Sequence, residues 1–376
     1  MVLAAGAILS VVVLLAAVSL VGAATTPGNQ SFEAKWADWL RSHHAAALAS
    51  ALEQYYYDHK APSPGGRPRS LNPVPATAAS PAQNQPSIPH LPPPAPVPLV
   101  VSPALPGEGQ WQPVGPTVDG VPGMYEAQFR ADRIYTSQIT SAVWIDPLVM
   151  RVSLIPGAHE PGGTWPHPPY ITPAELPSAA AAFNGGFRMA DAHGGFYLDG
   201  RTAVPLQEGA ASMVIYRDGR VNIGAWGSEV SMSPDVVAVL QNLVPIVDHG
   251  QAAPDATYSD NRIWGFTLGA NTVVARSGIG VTADGALVYV AGPALTARSL
   301  AESLKRVGAV RAMTLDINPE WVTFNFYQHQ PGNPSQVTGV KLYPSMQRSA
   351  ERYLPPTLES RDFFLVSLPS GASRAG

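Results

Sequence analysis

Four stretches of this 376-residue chain combine residue types that can do chemistry. The third of them, Thr314-Leu315-Asp316-Ile317-Asn318-Pro319-Glu320-Trp321, places one carboxylate at a predicted strand end and a second four residues on. Strand C-termini are where α/β folds often display catalytic groups. Asp316 is therefore a candidate nucleophile or base, with Glu320 as an auxiliary acid; a carboxylate that only satisfies loop amides is the competing account. The first stretch, Ala182-Phe183-Asn184-Gly185-Gly186-Phe187, joins an amide that donates and accepts to two glycines that admit close backbone approach. A plain Asn-Gly turn explains it too. The second, Arg276-Ser277-Gly278-Ile279-Gly280, offers a guanidinium able to fork onto carboxylate or phosphate oxygens, or a surface arginine beside a bulge glycine. The fourth, Leu206-Gln207-Glu208-Gly209, supplies Glu208 as a further acid/base candidate or as a solvated loop side chain.

Other chemistries are excluded by what is missing. With no cysteine, there is no thiolate nucleophile, disulfide or Cys-ligated metal. HExxH and EF-hand patterns do not occur, and of nine histidines only His43-His44 are adjacent, so no metal or other cofactor is expected. No GxSxG elbow and no helix-opening GxGxxG occur. A net charge of −4 (23 basic against 27 acidic residues) provides no field for nucleic acid.

The elements that must position these groups follow from periodicity. Strands are expected at Ser141–Asp146, Val149–Ile155, Ser212–Tyr216, Arg220–Ile223, Ile263–Leu268, Thr272–Arg276, Gly278–Thr282, Ala286–Val290 and Arg311–Ile317. Asp218-Gly219 and Asp284-Gly285 mark two hairpins. One helix is expected from Asp235 through Leu243, and another from Thr296, with a Leu300, Leu304 and Val307 stripe, to Gly308. Hairpins with one strand–helix–strand crossover give an α+β class: a twisted mixed, mostly antiparallel sheet flanked by helices.

Ahead of that domain (111–376) lie three further segments. Val2 to Ala24 carries no charge and as a helix spans roughly 35 Å, enough for a ~30 Å hydrocarbon layer, so residues 1–24 read as a transmembrane anchor or a signal segment. Residues 25–61 read as an amphipathic helix, with Trp36, Trp39, Leu40 and Tyr55 on one face. Residues 62–110 are a Pro-rich linker, with 15 prolines between Pro62 and Pro106, too many for helix or sheet; a semi-rigid stalk is expected. The domain is thus placed outside the cytoplasm, membrane-anchored or secreted.

The order AFNGGF, an Asp-Gly hairpin, RSGIGVTADG, then a helix and GAVRAMTLD resembles the phosphodiester glycosidase family over about Ala179 to Phe326. That family includes the enzyme that removes N-acetylglucosamine from a phosphodiester to uncover mannose 6-phosphate. Asn184, Gly185 and Gly186 fall on its Asn-Gly-Gly. Arg276, Ile279 and Gly280 match its Arg-Thr-Ala-Ile-Gly, with Ser277 and Gly278 replacing Thr-Ala. Leu315 and Asp316 open its Leu-Asp-Gly-Gly-Gly-Ser, which here continues Ile317-Asn318-Pro319-Glu320, and Pro319 has no amide to give a phosphate. The resemblance implies an extracytoplasmic glycoside hydrolase acting on a glycosyl phosphodiester or a related envelope carbohydrate. Asn184, Gly185, Gly186 and Arg276 would bind substrate, and Asp316, aided by Glu208 or Glu320, would act on it. The alternative is a non-catalytic carbohydrate-binding or envelope-scaffold protein on the same fold.

Overall fold

The computed structural model describes residues 2–25, positions scattered between 32 and 48, and residues 62–74, 88–258, 263–265, 272–355 and 360–369. The chain divides into two compact units, Met1–Ala61 with Thr267–Asn271 and Pro62–Phe266 with Thr272–Gly376. In the first, a helix runs over Val2–Thr25 without a charged residue. Among the described residues no helix is long and apolar enough to cross a membrane, and the side chains of 2–12 are not among those described. The expected transmembrane span over 1–24 is thus not found among the described residues. The expected amphipathic helix over 25–61 lies mostly outside the described residues.

The second unit is built from three antiparallel sheets. The largest orders β1 (Gln112–Pro113), β4 (Met124–Phe129), β5 (Thr140–Ile145), β16 (Leu287–Leu295), β15 (Val274–Thr282), β17 (Ala309–Thr314), β13 (Val247–Asp248) and β14 (Gln251–Ala252). A second orders β11 (Val221–Ala225), β10 (Ala211–Tyr216), β12 (Val236–Gln241), β8 (Phe196–Leu198) and β9 (Arg201–Val204). The third orders β19 (Asn333–Lys341), β18 (Phe324–Gln330), β7 (Ala179–Asn184), β20 (Phe363–Ser367) and β6 (Arg151–Ile155). A short ribbon pairs β2 (Thr117–Val118) with β3 (Val121–Pro122).

Successive side chains on the central strands go to different cores, as a period of two requires. Val143, Ile145, Leu287 and Tyr289 face the other two sheets. Ala142, Trp144, Val288 and Val290 face the helix Ala297–Arg306, which contributes Leu300 and Leu304, with Val307 following it. Burial on both faces explains why β16 reads as an unbroken apolar run. The helix starts at Thr296, whose hydroxyl accepts from the Ser299 amide in a capping box. Both Asp-Gly hairpins form, with positive φ at Gly219 and Gly285.

Three expectations are corrected. The helix predicted from Asp235 is β12: Ala238 and Leu240 enter one core and Val239 another, so buried alternation had the look of a helical stripe. The sheet is not mixed, because every named strand pair is antiparallel; the crossover makes β16 and β17 parallel, but β15 lies between them. The two predictions either side of Ser277 are one strand, β15, while Ile263–Gly265 is irregular and 266–268 lie outside the described residues.

The stalk is corrected as well. The described parts of 62–110 contain neither helix nor strand, but they lie on the domain. Val97 packs in the helix-side core, and the Leu91 amide donates to Asp146 at 2.7 Å. Glu108 accepts from Arg130 Nε at 2.9 Å and Nη2 at 2.7 Å, and from the Leu105 amide at 2.9 Å. Burial pushes the Glu108 carboxyl up, but those donors outweigh it and leave it below the ordinary range.

On β4, Glu126 is fully buried; Oε1 accepts from Gln128 at 2.9 Å and Oε2 has no partner. Burial pushes its pKa up to about 8 against the help of Gln128. The folded chain thus holds a proton there that the unfolded chain releases near 4.5, and stability falls as pH rises from that value through about 8. Glu126→Gln should unfold at a temperature close to that of the parent at pH 5. At pH 9 it should unfold several degrees higher, as scanning calorimetry would show.

Candidate active site

Asn184 ends β7 and welds three strands together. Its Oδ1 accepts from the Thr323 amide at 3.1 Å and the Tyr289 hydroxyl at 3.0 Å. Its Nδ2 donates to the Gly185 carbonyl at 2.8 Å and to Ser277 Oγ at 3.1 Å. Two acceptor sites and two N–H groups are all a carboxamide has. Asn184 therefore has nothing left for a sugar hydroxyl or phosphate, and the binding role expected of it becomes a structural one.

Ser277 is the counterpart on β15. Its amide donates to the Asp316 carbonyl at 2.8 Å, and its Oγ accepts from the Asp316 amide at 3.1 Å. Its neighbour Arg276 is fully buried. Strand alternation sends it the other way. There it donates to the carbonyls of Leu295 at 3.0 Å and Trp264 at 3.1 Å, and burial pushes its pKa down to about 9. Arg276 ties a loop to β16 and does not line the cavity described below, so the anion clamp expected of it is not there.

Asp316 follows β17 and is buried. Oδ1 accepts from the amides of Ile317 at 2.7 Å and Asn318 at 2.8 Å, and Oδ2 accepts from Arg361 Nη1 at 3.0 Å. Burial raises its pKa, while Arg361 and the two amides work the other way. The competing account of the sequence, a carboxylate satisfying loop amides, is thus also true. Asn242 steadies the same corner: its Nδ2 donates to the Thr314 and Leu315 carbonyls, each at 2.9 Å, and its Oδ1 accepts from the Phe187 amide at 3.1 Å.

Asn184, Gly185, Gly186 and Asp316 line one small pocket, too tight as it stands to hold a water molecule. Trp321, Arg352, Tyr353, Arg361 and Asp362 complete its wall. Arg361 and Arg352 lie over the Trp321 ring at 3.8 and 4.1 Å from its centre, and Arg348 at 5.2 Å. Glu320 does not line the cavity; it pairs with Arg348 at 2.9 Å. Glu208 sits exposed in a turn and also stays outside, as a solvated loop side chain would.

Sequence reasoning missed Asp362, Arg361, Arg352 and Trp321. The available signal was Arg361-Asp362, a charged pair directly ahead of the apolar run Phe363-Phe364-Leu365-Val366 that forms β20. Asp362 is buried and burial pushes its pKa up to about 7, although Arg361 favours its ionised form. Gly185 makes room for it: a Cβ there would fall 1.9 Å from Asp362 Oδ2.

Because Asn184 holds Tyr289, Thr323 and Ser277 at once, Asn184→Ala should cost roughly 2–4 kcal/mol, since several buried partners lose a bond together. Urea unfolding followed by tryptophan fluorescence measures this, with an unchanged slope expected.

Residues 177–316 match the family model described as phosphodiester glycosidase. That span begins just before β7 and ends on Asp316; it holds Asn184, Asn242 and Ser277, but not the wall from Trp321 to Asp362. Among solved structures, the chain is similar to the catalytic domain of zebrafish N-acetylglucosamine-1-phosphodiester alpha-N-acetylglucosaminidase, auto-inhibited by pro-peptide. The identity is 15% over 69% of this chain and 87% of that chain, with a TM-score of 0.41. A hypothetical protein from Synechocystis is similar at 14% identity over 68% of this chain and 64% of that one, with a TM-score of 0.35. No curated protein matches. Over residues 177–316, somewhat over a third of its length, the chain is similar to the phosphodiester glycosidase family.

Proposed function

We propose that this chain is a hydrolase that cleaves glycosyl phosphodiesters, or related envelope carbohydrates, outside the cytoplasm. One observation carries the reading: Asp316, Gly185 and Gly186, chosen from sequence alone, surround one cavity with a second carboxyl group and two guanidinium groups. Glycoside cleavage passes through an oxocarbenium-like state, which carboxylates stabilise and which most glycosidases reach with two of them. The Asp316 carboxylate, held by Arg361 and two amides, supplies fixed negative charge for the anomeric carbon. Arg361 and Arg352 supply the positive charge for the phosphate, in place of the bare amides that Pro319 cannot offer. The uncharged stretch Val2–Ala24 supports export, as a tether or as a cleaved leader.

A second reading, a carbohydrate-binding protein without turnover, is favoured by the tightness of the cavity. Substrate enters only if a wall moves, and Trp321 is the one lining residue of the pocket that is not buried. Synthetic methyl phosphodiesters of glucose, galactose, mannose and N-acetylglucosamine, each incubated with the full chain, separate the two. Hydrolysis is expected for at least one, with Asp316→Asn lowering kcat by about 100-fold or more while circular dichroism stays unchanged. Binding in calorimetry without sugar release from any of them would install the second reading.

A further inference from the structure

Asp362 stands one residue before β20, beside the Phe363–Asn184 register pair. Asp362 is 2% exposed, and neither carboxyl oxygen makes a hydrogen bond of good geometry, although the backbone amides of Gly186 and of Asp362 itself favour its ionised form. A buried acceptor without a well-aligned donor is costly, so two on one side chain call for a reason. Gly185 clears the space beside Oδ2, and no side-chain donor fills it. Asp316 is treated in the opposite way, with three donors on its two oxygens. The lone pairs of Asp316 are thus occupied by fixed donors, whereas those of Asp362 are open to a water molecule.

Resting on the hydrolytic reading above, we infer that Asp362 is the general base that takes the proton from the water attacking the anomeric carbon. The water oxygen bonds to that carbon as the bond from carbon to the phosphate oxygen breaks, and the electron pair departs with the phosphate monoester. One water proton passes to Asp362 and then to solvent. A phosphate monoester has its second pKa near ~6 and leaves without acid help, so the proton-transferring group is needed at the water and not at the leaving group. A single displacement releases the sugar with inverted anomeric configuration.

The charges around Asp362 fit the task. Arg361 on the same segment favours its ionised form, and Glu160 opposes it. Asp316 and Arg352 share the cavity, and Tyr353 feels its charge. Burial, the largest influence, brings the pKa to about 7, so the base form grows in as pH rises through neutrality.

The test uses the full chain with the methyl phosphodiester that wild type turns over, and compares Asp362→Asn, Asp362→Ala and Asp316→Asn. Asp362→Asn should lose about 10²–10⁴-fold in kcat, with KM within roughly threefold. The rise of wild-type kcat near neutral pH should vanish with it. Sodium azide should restore turnover to Asp362→Ala as a glycosyl azide of inverted configuration, and should not rescue Asp316→Asn. NMR of the first sugar released by wild type should show inversion. With wild type active, the inference alone is overturned if folded Asp362→Asn keeps kcat within threefold, if Asp362→Ala resists azide, or if configuration is retained. A wild type inactive on every phosphodiester overturns the hydrolytic reading and takes this inference with it.

Discussion

The site depends on one carboxamide. Asn184 joins the end of β7 to Ser277 on β15, to Tyr289 on β16 and to the Thr323 amide ahead of β18. Through Ser277 it also reaches Asp316, whose amide and carbonyl both bond to that serine. The largest and third sheets are thereby hydrogen-bonded to each other through this side chain. The register of the cavity follows from this lock: Gly185 and Gly186 come next after Asn184, and Asp362 precedes its register partner Phe363.

Burial then sorts the two carboxyl groups of the cavity. Both are buried and both are pushed towards the neutral form, but Asp316 receives a guanidinium and two well-aligned amides, whereas neither oxygen of Asp362 makes a hydrogen bond of good geometry. Two like groups in one pocket are thus solvated by the protein to different degrees. The guanidinium groups of Arg361 and Arg352 both lie over the Trp321 ring, at 3.8 and 4.1 Å from its centre, which limits how far they can turn.

Much of this was legible in the sequence. The hairpins, the crossover helix and most central strands follow from turn residues and periodicity. Asn184, Gly185, Gly186 and Asp316 were found because glycine pairs and strand-end carboxylates are uncommon local patterns. Arg276 was misread because periodicity two puts it and Ser277 on opposite faces, and charge drew the eye to the wrong one. Asp362, Arg352 and Trp321 are brought in by long-range pairing of β20 and by the loops beyond Asp316, which no local pattern encodes. The proline-rich segment misled for a similar reason: absence of regular structure says nothing about what a chain lies against, and Glu108 and Leu91 fasten it.

The placement of β20 bears on how the molecule is made. This strand is inserted between β6 and β7 and pairs with both, although ribosomes produce it after every other described strand. Until it emerges, β6 has no neighbour in its sheet and β7 has only β18. Arg361 and Asp362 travel with it, so Asp316 lacks its ion pair with Arg361 before that moment. The third sheet, and the pocket that Arg361 and Asp362 complete, can therefore close only when the end of the chain has been made.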